Sequence, residues 1–143
     1  MAGRRFSRAC RHGDSLCGWG KGSFFEKAVL WAVEEGITTG TDANHFSPGR
    51  TCNRATVVTF LHRAFGEPAV ESSSNPFQDV PAGGWYTAPI LWAVEQNITT
   101  GVSAARFAPG LNCRRAQIVT FLFRAYVNLT PKKHGTHLSP VLF

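Results

Sequence analysis

Two stretches of this chain are apolar on almost every side. Residues Ala28–Val33 read AVLWAV and residues Pro89–Val94 read PILWAV. Two later stretches are apolar in rhythm instead. Val57, Phe60, Leu61, Ala64 and Phe65 fall at i, i+3, i+4, i+7 and i+8, and Ile118, Phe121, Leu122, Ala125 and Tyr126 repeat that spacing. The rhythm predicts amphipathic helices near Arg54–Phe65 and Arg115–Tyr126, each with a core face and a solvated face. The continuous runs would suit a buried strand equally well, so punctuation decides. Ser23 and Glu26 spell S-x-x-E, a capping box that opens a helix. Gly36 and Asn97 are the two residue types most at ease in the left-handed position that closes one. Pro89, close behind Thr87, is tolerable only in a first turn. The first run therefore predicts a helix of roughly 13 residues. Helices so apolar all round are expected to pack against several neighbours, with Trp31 and Trp92 in the core.

The resemblance between the two halves is a repeat in register. WAVEEGITTG from Trp31 becomes WAVEQNITTG from Trp92, 61 positions on, and the same offset carries Phe46 onto Phe107, Pro48 onto Pro109, Cys52 onto Cys113 and Arg54 onto Arg115. About half of the positions from Phe24 to Gly66 are identical to those from Trp85 to Val127, with no gap. Units repeated in this way are supersecondary structures that bury their apolar faces on one another. The fold class expected is all-α, tandem helix-loop-helix repeats with little or no sheet. The chain divides into a basic segment without a fixed fold (1–22), a first repeat (23–66), a linker (67–76), a second repeat (77–127) and a tail (128–143).

The net charge of +6 lies outside the repeats. Arg4, Arg5, Arg8, Arg11 and Lys21 against Asp14, together with Lys132 and Lys133, account for all of it, and the repeat region is neutral. The folded part thus has no electrostatic footprint for nucleic acid. No window is long and apolar enough to span a bilayer, and no apolar h-region follows the early arginines, so no secretory signal is recognisable. Cys52 and Cys113, at equivalent positions before a helix, read as small buried hydrophobes. Cys10 and Cys17 flank His12 but fall short of the four ligands zinc requires, so neither metal nor cofactor is expected. His45, His62, His134 and His137 do not recur between repeats, and no nucleophile–base or paired-carboxylate set does either. The expectation is a protein that is not an enzyme.

Several motifs together resemble the S-layer homology family. The second repeat carries FQDV at Phe77–Val80, WY at Trp85–Tyr86, ITTG, FAPG and RRAQ at Arg114–Gln117; the first carries ITTG, FSPG and NRAT at Asn53–Thr56. The resemblance covers roughly residues 23–127. It implies a module that anchors exported proteins to cell-wall polysaccharide, often one bearing pyruvate ketals. In the family pattern an arginine starts the second helix, where a ligand carboxylate would meet a guanidinium and the helix's first N–H groups together. On that pattern Arg54 and Arg115 are the carboxylate partners, Trp85 offers a face to a sugar ring, and the backbone at Gly40 and Gly101 lines the groove. Asp79, in FQDV, is expected to cap loop amides.

Three departures temper the match. Asn53 suits an N-cap but Thr56 is a weak partner at N3, whereas Gln117 suits N3 but Arg114 cannot cap. The first repeat lacks an FQDV opening, since Leu16, Gly18 and Trp19 stand there. The family commonly arranges three repeats about a pseudo-threefold axis, so two provide one complete groove at most. The sequence reading is therefore a wall-binding module at the cell surface, part of a longer exported protein. The alternative is a protein–protein or self-assembly module that pairs with another copy or another such repeat; a third reading gives the basic tails an intracellular role.

Overall fold

The computed structural model describes residues 22–42, 45–72 and 74–130. The expectations for the basic segment, for Cys10, His12 and Cys17, for the missing opening and for most of the tail lie outside these residues. Four helices follow in order: α1 (Glu26–Glu34), α2 (Arg54–Ala64), α3 (Thr87–Glu95) and α4 (Arg115–Leu129). Among the described residues the only β pairing is two isolated antiparallel bridges, Asn53 with Asn112 and Ser103 with Arg106. The fold is all-α.

The first helix of each repeat is closed by the same device. Gly36 and Asn97 take positive φ, 72° and 55°. Their N–H groups donate to Val33 and Val94, while Ile37 and Ile98 donate to Ala32 and Ala93 at 2.8 Å. These are Schellman closures, which satisfy the carbonyls a helix end leaves open. The turn drops Ile37 and Ile98 into the interior. The helix starts are less regular than the sequence implies. Phe25 is the N-cap of α1 and makes no side-chain cap, so α1 has nine residues, fewer than expected. Glu26 does reach back, but its carboxylate accepts from Gly22 at 2.7 Å, and Ser23 accepts from Glu26 through its carbonyl.

The core does not follow the repeat boundaries. It gathers Val57, Val58 and Leu61 from α2, Phe77 and Val80 from FQDV, Ile90, Trp92 and Ala93 from α3, Ile98 and Phe107 from the loop after it, and Phe121 and Ala125 from α4. None of these comes from α1. The second helix of the first repeat is thus buried mainly against the second repeat. Trp92 packs edge-on against His62, 5.1 Å between ring centroids, and lies 6.2 Å from Phe65. His62 has a structural use here, its Nε2 lying 2.9 Å from the Pro68 carbonyl oxygen.

Two expectations therefore need correction. Trp92 is 1% exposed, but its sequence twin Trp31 is 55% exposed. Position in the repeat does not determine burial; the neighbouring helix does, and among the described residues no helix precedes α1 and none follows α4. For the same reason α4 does not bury the apolar set that α2 buries. Phe121 and Ala125 face the core, while Leu122 and Tyr126 are exposed.

These environments predict unequal costs for equal substitutions. Trp92→Ala should destabilise by about 3–5 kcal/mol, the usual cost of emptying a large aromatic site. Trp31→Ala should cost less than about 1 kcal/mol in dilute solution. Urea denaturation of the two variants checks this, and similar losses would contradict the burial described.

Candidate functional site

The start of α2 is held by the second repeat. Asn53 caps it, its Oδ1 accepting from the Thr56 N–H at 2.9 Å. The first two helical N–H groups, of Arg54 and Ala55, donate to the carbonyls of Leu111 and Pro109 at 2.9 and 3.0 Å. Cys113 N–H returns a bond to the Cys52 carbonyl at 3.0 Å. Both cysteines pack against the core rim and both are free thiols. Burial raises the Cys113 thiol pKa, while the Arg54 charge pulls it back. The expectation that a ligand would meet the open N–H groups of this helix is thereby corrected at α2. Its first-turn donors already have protein acceptors.

The Arg54 side chain turns inward and is 4% exposed. Its Nε donates to the Phe107 carbonyl at 2.9 Å, and a terminal nitrogen donates to Thr99 Oγ1 at 3.2 Å. The guanidinium carbon lies 4.6 Å from the Phe107 ring centroid and 5.6 Å from that of Phe121, within reach of a cation–π attraction. Burial lowers its pKa, with Cys113 and Asp79 acting in the opposite direction. Among the described residues no carboxylate lies within ion-pair distance of it. This is a buried cation held by neutral oxygens and ring faces.

Asp79 shapes the loop against which Arg54 rests. Its two oxygens accept from the N–H groups of Phe107 and Ala108 at 2.9 and 2.8 Å, the loop-capping role its sequence position suggested. Burial works to raise its pKa, but the amide donors and nearby Arg106 outweigh it and hold the carboxylate below the ordinary range. Gly101 turns the same loop at φ 84°. A Cβ there would stand 2.8 Å from the Arg106 carbonyl oxygen and 2.8 Å from the Phe77 ring, so only glycine fits.

The structure thus joins Arg54 to the Thr99–Phe107 loop that contains Gly101, and leaves the other candidates apart. Arg115 begins α4 and is exposed; Gln117 Oε1 accepts from the Arg114 N–H at 2.9 Å, which is half a capping box, because arginine offers no acceptor for the other half. Gly40 lies in the loop of the first repeat, where its N–H donates to Thr38 Oγ1 at 3.2 Å. Trp85 is exposed and rests edge-on against Tyr86. Sequence reasoning passed over Thr38 and Thr99, which are buried polar residues at one repeat position. It also passed over Arg63 and Arg124, which donate to the carbonyls of Ile37 and Ile98 at 3.3 and 3.2 Å. Identity at the 61-residue offset was the available signal for both pairs.

Comparison with known proteins follows the same two segments. The family model described as S-layer homology domain matches residues 20–58 and 76–119. The Surface-layer 125 kDa protein of Lysinibacillus sphaericus is 34% identical over 103 residues, covering 72% of this chain and 9% of that protein. An endoglucanase of Bacillus sp. (strain KSM-635) is 37% identical over 93 residues, 65% of this chain and 10% of the enzyme. The S-layer protein of Bacillus thuringiensis subsp. finitimus is 30% identical over 109 residues, 76% of this chain and 13% of that protein. The chain spans about a tenth of the length of these relatives. The matched part is common to S-layer proteins and to one enzyme, so the likeness carries no catalytic activity with it. Among the described residues no helix is long and apolar enough to cross a membrane.

The Asp79 geometry gives a pH signature. A carboxylate whose folded pKa is depressed stabilises fully above its unfolded value, ordinarily 3.8, and this contribution is lost as pH falls through the lower folded value. Asp79→Asn should therefore cost about 1–3 kcal/mol near neutral pH. The gap from wild type should narrow as pH drops from about 5 to about 2. Urea titrations across that range check it; a gap that does not change with pH would show that the charge is not what stabilises the loop.

Proposed function

Because this chain belongs to the S-layer homology domain family, we propose that it is a non-catalytic surface-anchoring module whose groove at Arg54 holds an anionic, pyruvylated cell-wall polysaccharide. The observation that carries this reading is the state of Arg54. A guanidinium buried without an anion is costly unless a partner arrives. Here two of its N–H groups are spent on Phe107 and Thr99, which fixes the planar fork in place. A ketal carboxylate could take the remaining donors in bidentate fashion, beside the backbone at Gly101. The loop is prepared before any ligand arrives, because Asp79 holds Phe107 and Ala108. Trp85, exposed near the start of α3, is available to a sugar face. Arg115 and Gly40 belong to equivalent half-sites at the two ends of the repeat array. The module would act at the cell surface or wall as part of an exported protein.

A second reading, as an assembly module, is favoured by the exposed apolar residues of α4.

The test is binding to purified wall polymer with and without its pyruvate ketals. Wild type should bind the pyruvylated form only. Arg54→Lys keeps the charge and loses the fork, so affinity should fall roughly tenfold to a hundredfold, a loss of about 1.5–3 kcal/mol. Circular dichroism must show the variant folded. Equal binding by a folded Arg54→Lys would move the site elsewhere, and failure of the wild type to bind would remove the polysaccharide reading.

A further inference from the structure

The two thiols that recur at one repeat position meet across the repeats. Two backbone bonds flank the antiparallel bridge between Asn53 and Asn112: Arg54 N–H to the Leu111 carbonyl at 2.9 Å, and Cys113 N–H to the Cys52 carbonyl at 3.0 Å. That register sets Cys52 directly opposite Cys113. Residues bonded across an antiparallel pair stand about 5.5 Å apart at Cα, within the roughly 4.4–6.8 Å that a disulfide spans. Opposite residues also place their side chains on one face, and both cysteines pack against the same core cluster. Each is a free thiol and only partly buried, so a small reagent can reach it. A charge on Cys52 disfavours ionisation of the Cys113 thiol, which agrees with their closeness.

We propose that Cys52 and Cys113 form a modification site, a thiol pair that small disulfides oxidise to an intramolecular disulfide joining the two repeats. The step balances as thiol–disulfide exchange. One cysteine thiolate attacks a sulfur of the oxidant, forming a mixed disulfide and releasing one thiol. The other cysteine thiolate then attacks the protein sulfur of that mixed disulfide and releases the second thiol. The cysteines lose two electrons, the oxidant gains them, and the two cysteine protons end on the two released thiols. Such bonds persist at cell surfaces, so the bridge rests on the surface location given above. It does not depend on which polysaccharide the module binds, and its test contains none.

The bond would form where the repeats are already joined. Cys52 stands two residues before Arg54, and Cys113 closes the loop that carries Phe107, whose carbonyl holds the Arg54 side chain. A bridge there ties together the two chain segments that house Arg54. It closes a span of 61 residues, 113 − 52, long enough to remove much of the freedom of the unfolded chain. The native register is already in place, so the folded state gives up little to form it.

The full chain is incubated with oxidised glutathione, alkylated with iodoacetamide, digested with trypsin without reduction and read by mass spectrometry. Residues 51–54 (TCNR) and 107–114 (FAPGLNCR) should appear as one linked species that dithiothreitol separates. A variant carrying Cys10→Ser and Cys17→Ser should form it equally, because neither thiol belongs to the pair. In that variant the bridge should raise the thermal midpoint by about 10 °C or more over the reduced form, and adding Cys113→Ser should abolish the rise. Cys52 and Cys113 recovered singly, alkylated or as glutathione adducts, would overturn the proposal, as would pairing of either with Cys10 or Cys17. A bridge that forms only after urea unfolds the chain would overturn it too, since the folded register would not be what brings the sulfurs together. So would a bridge that forms but leaves the midpoint unchanged or lowers it, because the native geometry would then not accept it.

Discussion

The structure depends on a buried arginine that belongs to one repeat and is housed by the next. Arg54 stands at the first position of α2, yet everything it touches, from the Phe107 carbonyl and ring to Thr99 and Phe121, comes from the second repeat. A guanidinium out of water needs its donors satisfied, and only the correctly folded loop supplies those acceptors. The loop in turn needs Asp79 to hold Phe107 and Ala108, and glycine at 101 to make the bend. The helix start adds backbone bonds to Leu111 and Pro109. Side-chain charge, loop geometry and helix docking are satisfied together or not at all.

It follows that the unit of packing is out of phase with the unit of sequence. The main core cluster joins α2 to α3 and α4; α1 buries Val29 outside that cluster. Equal sequence then meets unequal surroundings. Trp92 has α2 beneath it and Trp31 has no equivalent helix among the described residues; Val58 has α3 above it and Val119 does not.

The local structure was legible in the sequence because it is decided locally. Gly36 and Asn97 mark helix ends through a backbone conformation few other residues accept, and Asn53 caps with its own side chain. Burial was not legible in the same way. AVLWAV and PILWAV look alike, and only the neighbour that each helix meets makes one a core helix and the other a surface one. The start of α1 was misjudged because S-x-x-E satisfies its donors by a different route, from Glu26 to Gly22. At the site, the motif pointed to Arg54, but not to the inward turn of its side chain or to the use of the first-turn N–H groups by Leu111 and Pro109. Those depend on a strand-like crossing of two loops, centred on Asn53 and Asn112, that lie far apart in sequence and carry no periodic signal.

Native-state hydrogen exchange tests most directly whether α2 folds with the repeat that follows it. Amides in the middle of α2, such as Leu61, should open at the same free energy as those of α3 and α4, in one cooperative unit, with α1 opening at a lower free energy. If α2 instead exchanges together with α1, at a free energy distinct from α3 and α4, the sequence repeat is the folding unit and the inter-repeat core does not hold the molecule together.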